Sequence, residues 1–179
     1  MSSLSVYHVS SPDIPNKVLT HFEDIAATLA ERGVRFERWE AATRIQPDAS
    51  EADIIAAYQA RIDALMTECG YVTVEVLRVK SDDAQEAEPQ AGPLEERSHR
   101  HDEVRLFVAG RGLFSLHIDD YVYAVLCERN DLITVPAGTP HWFDMGERPY
   151  WVAVRMSAGS QETQLTGDDI AGRFSRLED

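Results

Sequence analysis

The pattern of apolar and polar positions divides the chain into a mixed N-terminal third and a strand-rich remainder. In the first third, two sets of apolar residues recur at helical spacing, and each set ends near a glycine, Gly33 or Gly70. These patterns predict helices over 18–31 and 51–69. Leu4–Val9 and the segment VRFERW, which begins at Val34, are predicted to be extended.

From Gly70 onward the apolar period changes to two, which predicts strands. Tyr71–Lys80 is the first of these strands, and a long polar and acidic loop follows at 81–97. The further predicted strands are Glu103–Ala109, Leu113–Ile118, Tyr121–Cys127, Leu132–Pro136, His141–Asp144 and Trp151–Met156. Many short strands separated by turns are typical of a sandwich or barrel. One more helical turn is predicted at 168–171.

The charge of the chain narrows the range of partners. It has 31 acidic against 17 basic residues, which gives a formal net charge of −14. Polyphosphate and anionic lipid would be repelled, so we expect neither nucleic acid nor a membrane as partner. No apolar run could span a bilayer, the first residues do not form a signal peptide, and Cys69 and Cys127 are too few for a disulfide framework. We therefore expect a cytoplasmic protein with reduced thiols.

A cluster of possible metal ligands lies in the strand-rich part. His99, His101 and Glu103 alternate along the chain, so they point to one side if this segment is extended. His141 follows a tight turn at Pro136 and could join them from another strand. Imidazole and carboxylate groups suit Fe(II), Ni(II), Mn(II) or Zn(II). The alternative interpretation is a polar strand end with exposed histidines.

The spacing around these residues carries a family resemblance. Glu103 is followed after six residues by Gly110, and Pro136-x-Gly138-x-x-His141 forms a second motif, which together resemble the two motifs of the cupin superfamily. Longer stretches resemble bacterial acireductone dioxygenases, and they include GVRFERWE (33–40), DEVRLFVAGRGLFSLHI (102–118) and YAVLCERNDLITVPAGTPHWFDMG (123–146). The resemblance covers nearly the whole chain.

The resemblance implies a mainly β fold. We expect a cupin barrel, that is a double-stranded β-helix or jelly roll, with the N-terminal α/β segment packed outside it. Residues 1–179 would form a single domain with an N-terminal extension (1–70), a barrel core (71–156) and a C-terminal tail (157–179).

The resemblance also implies a metal-dependent dioxygenase that is a monomer with one Fe(II) or Ni(II) per chain. The substrates would be O2 and an enediol, 1,2-dihydroxy-3-keto-5-methylthiopentene of methionine salvage. The iron form would give formate and a 2-keto acid, and the nickel form 3-methylthiopropionate, formate and CO. The alternatives are a metal-dependent cupin isomerase or lyase that does not use O2, and a non-catalytic cupin with an altered metal site.

The first metal motif departs from the family pattern of His-x-His, three residues and Glu. Glu103 and His141 match the family's carboxylate and last histidine. With a gap in the turn, His99 and His101 are the family's histidine pair, and the expected ligands are His99, His101, Glu103 and His141. Without a gap, Arg97 falls on the first histidine position, and one ligand is lost.

Other positions concern the substrate. Arg105, Arg155 and Phe143 match residues that contact substrate oxygens or wall the pocket in the family, so they are the expected catalytic residues. Pro93 lies near a position that is aromatic in the family, and Ser157–Gln161 replaces a longer segment that contains tryptophan. These departures predict a wider and more polar pocket, weak turnover of the methylthio compound, and recruitment to a related enediol.

Overall fold

Two antiparallel sheets dominate the computed structural model, which describes residues 2–46, 48–80, 94–159, 163–174 and 176–177. The helices of these ranges are Phe22–Ala30 (α1), Glu51–Ala57 (α2), Gln59–Cys69 (α3) and a 3₁₀ helix at Ile170–Arg173. The strands are Ser3–His8 (β1), Lys17–Leu19 (β2), Phe36–Arg38 (β3), Thr73–Val79 (β4), Arg97–His99 (β5), Glu103–Gly110 (β6), Gly112–Ile118 (β7), Tyr121–Cys127 (β8), Asp131–Val135 (β9), His141–Asp144 (β10), Trp151–Ser157 (β11) and Thr163–Leu165 (β12). None of these helices is long and apolar enough to cross a membrane.

The sheets enclose a common core. One has the strand order β12-β5-β10-β7-β8-β1-β2, and the other has the order β3-β9-β6-β11-β4. Leu4, Phe114 and Leu116 of the first sheet share one buried cluster with Phe107 and Trp151 of the second. Successive residues of a strand point to opposite faces, so this cluster defines the face of each sheet that looks into the barrel.

Strand β6 is buried on both faces, which explains its nearly continuous apolar sequence. Phe107 belongs to the barrel core, whereas Val104 and Leu106 pack with helices α2 and α3 through Ile54 and Ile62. By alternation, Glu103 and Arg105 share the inward face with Phe107. Two charged side chains therefore point into the barrel from a strand that is otherwise apolar.

The predicted elements are present with shifted boundaries in the N-terminal third. Val18 lies in β2, and helix α1 begins only at Phe22, because pairing with β1 overrides the helical spacing of Val18. The single helix predicted over 51–69 is broken at Tyr58, whose φ of −120° is not helical. Gly70 ends α3 with a φ of +72°, as the glycine predicted.

The acidic loop predicted at 81–97 is described only from residue 94, and its last residue is already in a strand. Arg97–His99 forms β5, which pairs with β10 and with the unpredicted β12. The helical turn predicted at 168–171 is found as the 3₁₀ helix at Ile170–Arg173. Together with Phe174, this helix packs against Trp142 and Val122 on the outer face of the larger sheet.

Candidate metal centre

Three strand ends bring two histidines and one glutamate together. His99 ends β5, Glu103 begins β6 and His141 begins β10. One ligand atom from each of these side chains lies within 4.8 Å of the others. The pairing of Arg97 with His141 aligns β5 with β10 in one sheet, while Glu103 reaches the same point from the other sheet. The cluster therefore lies where the chain crosses between the sheets.

The segment that contains His99, His101 and Glu103 is not continuously extended, so the condition under which the three side chains would share one face is not met. Strand β5 stops at His99, residues 100–102 form a bend, and β6 begins at Glu103 in the other sheet. His101 lies in this bend, half-buried, and is not among the three clustered side chains of the described chain. Arg97 is exposed and is the register partner of His141, so its side chain leaves the sheet on the same face.

Hydrogen bonds orient both imidazole rings of the cluster. His141 Nδ1 lies 2.9 Å from the carbonyl oxygen of Thr139, which can only accept, so Nδ1 carries the proton. The lone pair of neutral His141 is then on Nε2. His99 Nδ1 lies 3.0 Å from Thr163 Oγ1, and its Nε2 lies 3.8 Å from Glu103 Oε2. This pattern, with Nδ1 held and Nε2 directed inward, is the one that metal-binding histidines use.

Glu103 is a buried carboxylate between two guanidinium groups. Its Oε1 lies 3.5 Å from Arg105 Nη2 and 3.6 Å from Arg155 Nη1, and only 2% of its surface is exposed. Burial by itself would raise the pKa of Glu103, but the charges of Arg105 and Arg155 outweigh it and hold the pKa below its ordinary value. Glu103 is therefore ionised at neutral pH.

The two histidines are neutral because burial disfavours their protonated, charged form. Burial lowers the pKa of His141 from 6.5 to about 4, and burial also lowers the pKa of His99. Two neutral nitrogens and one carboxylate oxygen, with Glu103 and His141 buried and His99 half-buried, are a donor set that Fe(II), Ni(II), Mn(II) or Zn(II) accepts. The residues present therefore fit a divalent transition metal.

Arg105 and Phe143 lie together beside the cluster. The guanidinium carbon of Arg105 is 5.1 Å from the ring centre of Phe143 and 5.4 Å from that of Phe114. The rings of Phe143 and Phe114 stack with centroids 4.4 Å apart. An added Cβ at Gly112 would overlap the ring of Phe143, so the glycine makes room for it. The aromatic wall thus favours a cation at Arg105.

Arg155 is held by a residue that the sequence analysis missed. Arg155 Nε donates to Glu75 Oε1 at 2.7 Å, and Glu75 is the register partner of Arg155 on β4. The sequence contained an indication of this role, because Glu75 is a charged residue within a strand whose apolar residues alternate. Glu75 and Glu103 flank the same guanidinium group, so Arg155 links the sheet edge to the cluster.

A second group of a histidine and two carboxylates lies outside the barrel. Ligand atoms of Glu96, His117 and Asp168 also lie within 4.8 Å of one another. Glu96 Oε2 lies 2.7 Å from His117 Nδ1, and Glu96 Oε1 accepts from Thr166 Oγ1 at 2.6 Å. These bonds join the C-terminal segment to β7.

Comparison with known proteins agrees with this geometry. The ARD/ARD′ family matches residues 6–164. The chain is 68% identical over 181 aligned residues to the acireductone dioxygenase of Pseudomonas fluorescens (strain Pf0-1), and the alignment covers 100% of both chains. The chain belongs to the acireductone dioxygenase family. The acireductone dioxygenase of Pseudomonas aeruginosa (strain UCBPP-PA14) is 61% identical, again over 100% of both chains. As a member of this family, the chain is a metal-dependent dioxygenase.

A solved structure supports the fold of this family member. The acireductone dioxygenase of Bacillus anthracis, with a cadmium ion in its active centre, superposes with a TM-score of 0.75. It is 24% identical and covers 89% of this chain and 94% of its own. The predicted cupin fold and the family resemblance are confirmed. Pro93, Gln161 and Ser160 lie outside the described residues, so the wider pocket stays a prediction.

Proposed function

We propose that the chain cleaves an acireductone with O2, using Fe(II) or Ni(II) held by His99, Glu103 and His141. The observation that carries this proposal is the approach of these three side chains, of which Glu103 and His141 are buried and His99 is half-buried, with ligand atoms within 4.8 Å of one another. The ligand set would then have two nitrogens and one oxygen, without His101. This choice follows the ungapped alignment, in which Arg97 takes the place of the family's first histidine.

The three ligands leave room for the substrate. A six-coordinate metal held by one carboxylate and two imidazoles keeps half of its positions open. When bound, the metal would act as a Lewis acid that chelates two oxygens of the substrate and makes its dianion reactive towards O2. Thr139 and Thr163 hold the two imidazoles by their Nδ1 atoms, which fixes the direction of both Nε2 lone pairs.

The arginines beside Glu103 have the charge that this substrate requires. An enediolate dianion and Glu103 together bring three negative charges to the centre; a divalent metal would offset two of them, and Arg105 and Arg155 lie close enough to offset the charge that remains. Arg105 is 5% exposed and lies against aromatic rings, so its charge acts in a medium with little water. Phe143 would form an apolar wall of the pocket. Arg105, Arg155 and Phe143 are therefore the proposed substrate-contacting residues.

We extend the proposal to the biological setting as the sequence predicts it. The substrate would be 1,2-dihydroxy-3-keto-5-methylthiopentene, the enzyme would act in methionine salvage in the cytoplasm, and it would function as a monomer. Support for the substrate comes from curated relatives at 61–68% identity that are acireductone dioxygenases over their full length.

Oxygen uptake by the purified protein, reconstituted separately with Fe(II) and Ni(II), tests the proposal. We expect uptake of O2 with an acireductone in both forms, with CO released only by the nickel form. The control is the Arg105→Gln variant with bound metal, in which uptake should fall at least tenfold because one charge-balancing group is lost. Metal-loaded protein that consumes the acireductone without O2 would instead support an isomerase or lyase.

A series of acireductones with tails of graded length tests the substrate more narrowly. If the pocket is as apolar as the methylthio substrate requires, kcat/KM rises with the tail, because each buried methylene contributes about 0.8 kcal/mol. If kcat/KM is highest for a shorter or more polar compound, the chain was recruited to a related enediol. The rate of oxygen consumption, measured with an oxygen electrode, gives kcat/KM for each compound.

A further inference from the structure

A cavity lies at the opposite end of strand β6 from the proposed metal ligands. Its volume is about 550 Å³, which is within the range of small-molecule sites. Gly110 at the end of β6 lines it, whereas Glu103 begins the same strand. The strand has eight residues, and the seven steps between them, at roughly 3.3 Å each, separate the two ends by about 23 Å. We call this space the far cavity, and it is distinct from the proposed metal centre.

Three arginines line the far cavity together with one carboxylate. Arg111 comes from the β6–β7 turn, Arg129 from the β8–β9 turn and Arg148 from the loop after β10, with Glu128 as the acid. Arginine is always protonated, so the described residues of this lining carry a formal net charge of +2. The whole chain carries −14, and the cavity is therefore a local reversal of the protein's charge.

Buried groups fix the loops that carry these arginines. Asp131, 1% exposed, accepts a hydrogen bond from Glu128 N at 2.9 Å and holds the β8–β9 turn. Asp144, also 1% exposed, accepts from Gly146 N at 2.9 Å and from Leu177 N at 2.7 Å. These bonds are in place before any ligand arrives, so little of the binding free energy is used to order the loops.

The β6–β7 turn, which carries Arg111, is fixed by a close backbone contact. The cavity lining also includes apolar surface. At Gly110, an added Cβ would overlap the carbonyl of Tyr150, so the β6–β7 turn and the residue before β11 are pressed together. Met145, Tyr150 and Leu177 also line the cavity. The lining thus combines guanidinium groups, which bind oxyanions in a bidentate manner, with a short apolar surface.

We propose that the far cavity binds a small organic oxyanion with two negative charges and a compact apolar part. A phosphate monoester and a dicarboxylate share this chemistry, because both present paired oxygens to guanidinium forks. Chloride does not satisfy it, since a spherical ion offers no paired acceptors and no apolar surface. The site is independent of the acireductone reaction.

Calorimetric titration of the metal-loaded enzyme at constant ionic strength tests the proposal, with phenyl phosphate, phthalate and chloride as probes. We expect saturable binding of phenyl phosphate or phthalate with a Kd of about 1 mM or lower and no saturable binding of chloride. Whichever of phenyl phosphate and phthalate binds more tightly identifies the preferred oxyanion as a phosphate or a carboxylate. In the double variant Arg129→Gln/Arg148→Gln, Kd should rise at least tenfold, since two charge-assisted contacts are lost.

The matched control removes a positive charge elsewhere. Arg44 is exposed and does not line the far cavity, so Arg44→Gln should change Kd by less than about twofold, as expected for a screened remote charge. The proposal is overturned if neither oxyanion binds in a saturable manner, or if binding persists in the double variant, which would place the anion at the metal. An equal loss in Arg44→Gln would also overturn it, because binding would then follow net charge alone.

Discussion

Two clusters of histidine and carboxylate lie on opposite faces of the larger sheet, and their surroundings differ. Inside the barrel are His99, His141 and Glu103; outside, beneath the C-terminal segment, are Glu96 and His117 with Asp168. In both, the ligand atoms lie within 4.8 Å of one another. Proximity alone would make both of them metal sites.

The hydrogen bonds separate the two clusters. In the inner one, the Nδ1 atoms of His99 and His141 bond to Thr163 and Thr139, which leaves the Nε2 atoms for a ligand. In the outer one, both oxygens of Glu96 are engaged, one with His117 and one with a threonine hydroxyl. The comparison teaches that a metal site requires lone pairs that the fold itself does not use, and that a carboxylate with two bonds serves as an anchor instead.

Removal of an inner ligand should have the largest effect. His141→Ala is expected to lose stoichiometric metal and all oxygen uptake, because the two remaining side chains cannot hold a divalent ion tightly. Metal content per chain, measured by mass spectrometry on protein without an affinity tag, checks this. His101→Ala is the control and should retain near-normal metal. If instead His101→Ala loses the metal and His141→Ala keeps it, the proposed ligand set is wrong.

Acid should destabilise the metal-free protein through the inner histidines. The unfolded chain binds a proton on His141 near pH 6.5, whereas in the folded chain burial lowers the pKa to about 4. The stability that this neutral ring contributes is therefore complete above pH 6.5 and is lost as the pH falls towards 4. The loss is on the order of 3 kcal/mol. Urea unfolding of apoprotein at pH 7 and pH 5 should show about 2 kcal/mol of it, and metal-free His141→Gln should show a clearly smaller pH dependence.

Removal of the outer histidine should affect stability and not metal binding. In His117→Ala, the buried carboxylate of Glu96 loses one of its two partners, which costs about 1–3 kcal/mol in the free energy of unfolding. Urea unfolding and metal analysis of the same sample check both parts. His21→Ala, which removes an exposed histidine, should change neither quantity. Loss of metal in His117→Ala alone would mean that the outer cluster is also a metal site.

Removal of the charge that holds Arg155 should have the smallest effect. Glu75→Gln keeps the shape of the side chain but weakens its bond to Arg155 Nε, so we expect KM for the acireductone to rise about two- to fivefold with kcat nearly unchanged. Steady-state oxygen consumption measures both constants. Glu68→Gln breaks a similar surface pair with Arg35 and serves as the control. A fall in kcat without a change in KM would contradict a positioning role for Glu75.

Much of the fold follows from local patterns. The strands predicted at Tyr121–Cys127 and His141–Asp144 have the observed bounds. Their alternating pattern and the turns on either side leave little choice of where each strand begins and ends. Strands β2, β5 and β12, with three residues each, were not predicted. Segments this short carry little periodicity of their own, and β3, which also has three residues, was predicted only as part of the longer segment VRFERW. The three missed segments form strands because a neighbouring strand supplies their hydrogen bonds.

The sequence predicted which types of residue form the candidate site, but it did not predict which particular residues come together there. The sequence by itself determined the family, the acidic surface, the two motifs and the candidates Glu103 and His141, since these depend on residue identity and spacing. Tertiary structure decided that His99 and not His101 joins them, because the chain bends at 100–102 to change sheets. It also decided that His99 keeps its Nε2 lone pair for a metal, because Thr163, 64 residues away in sequence, holds its Nδ1, whereas the Thr139 carbonyl that orients His141 is only two residues away.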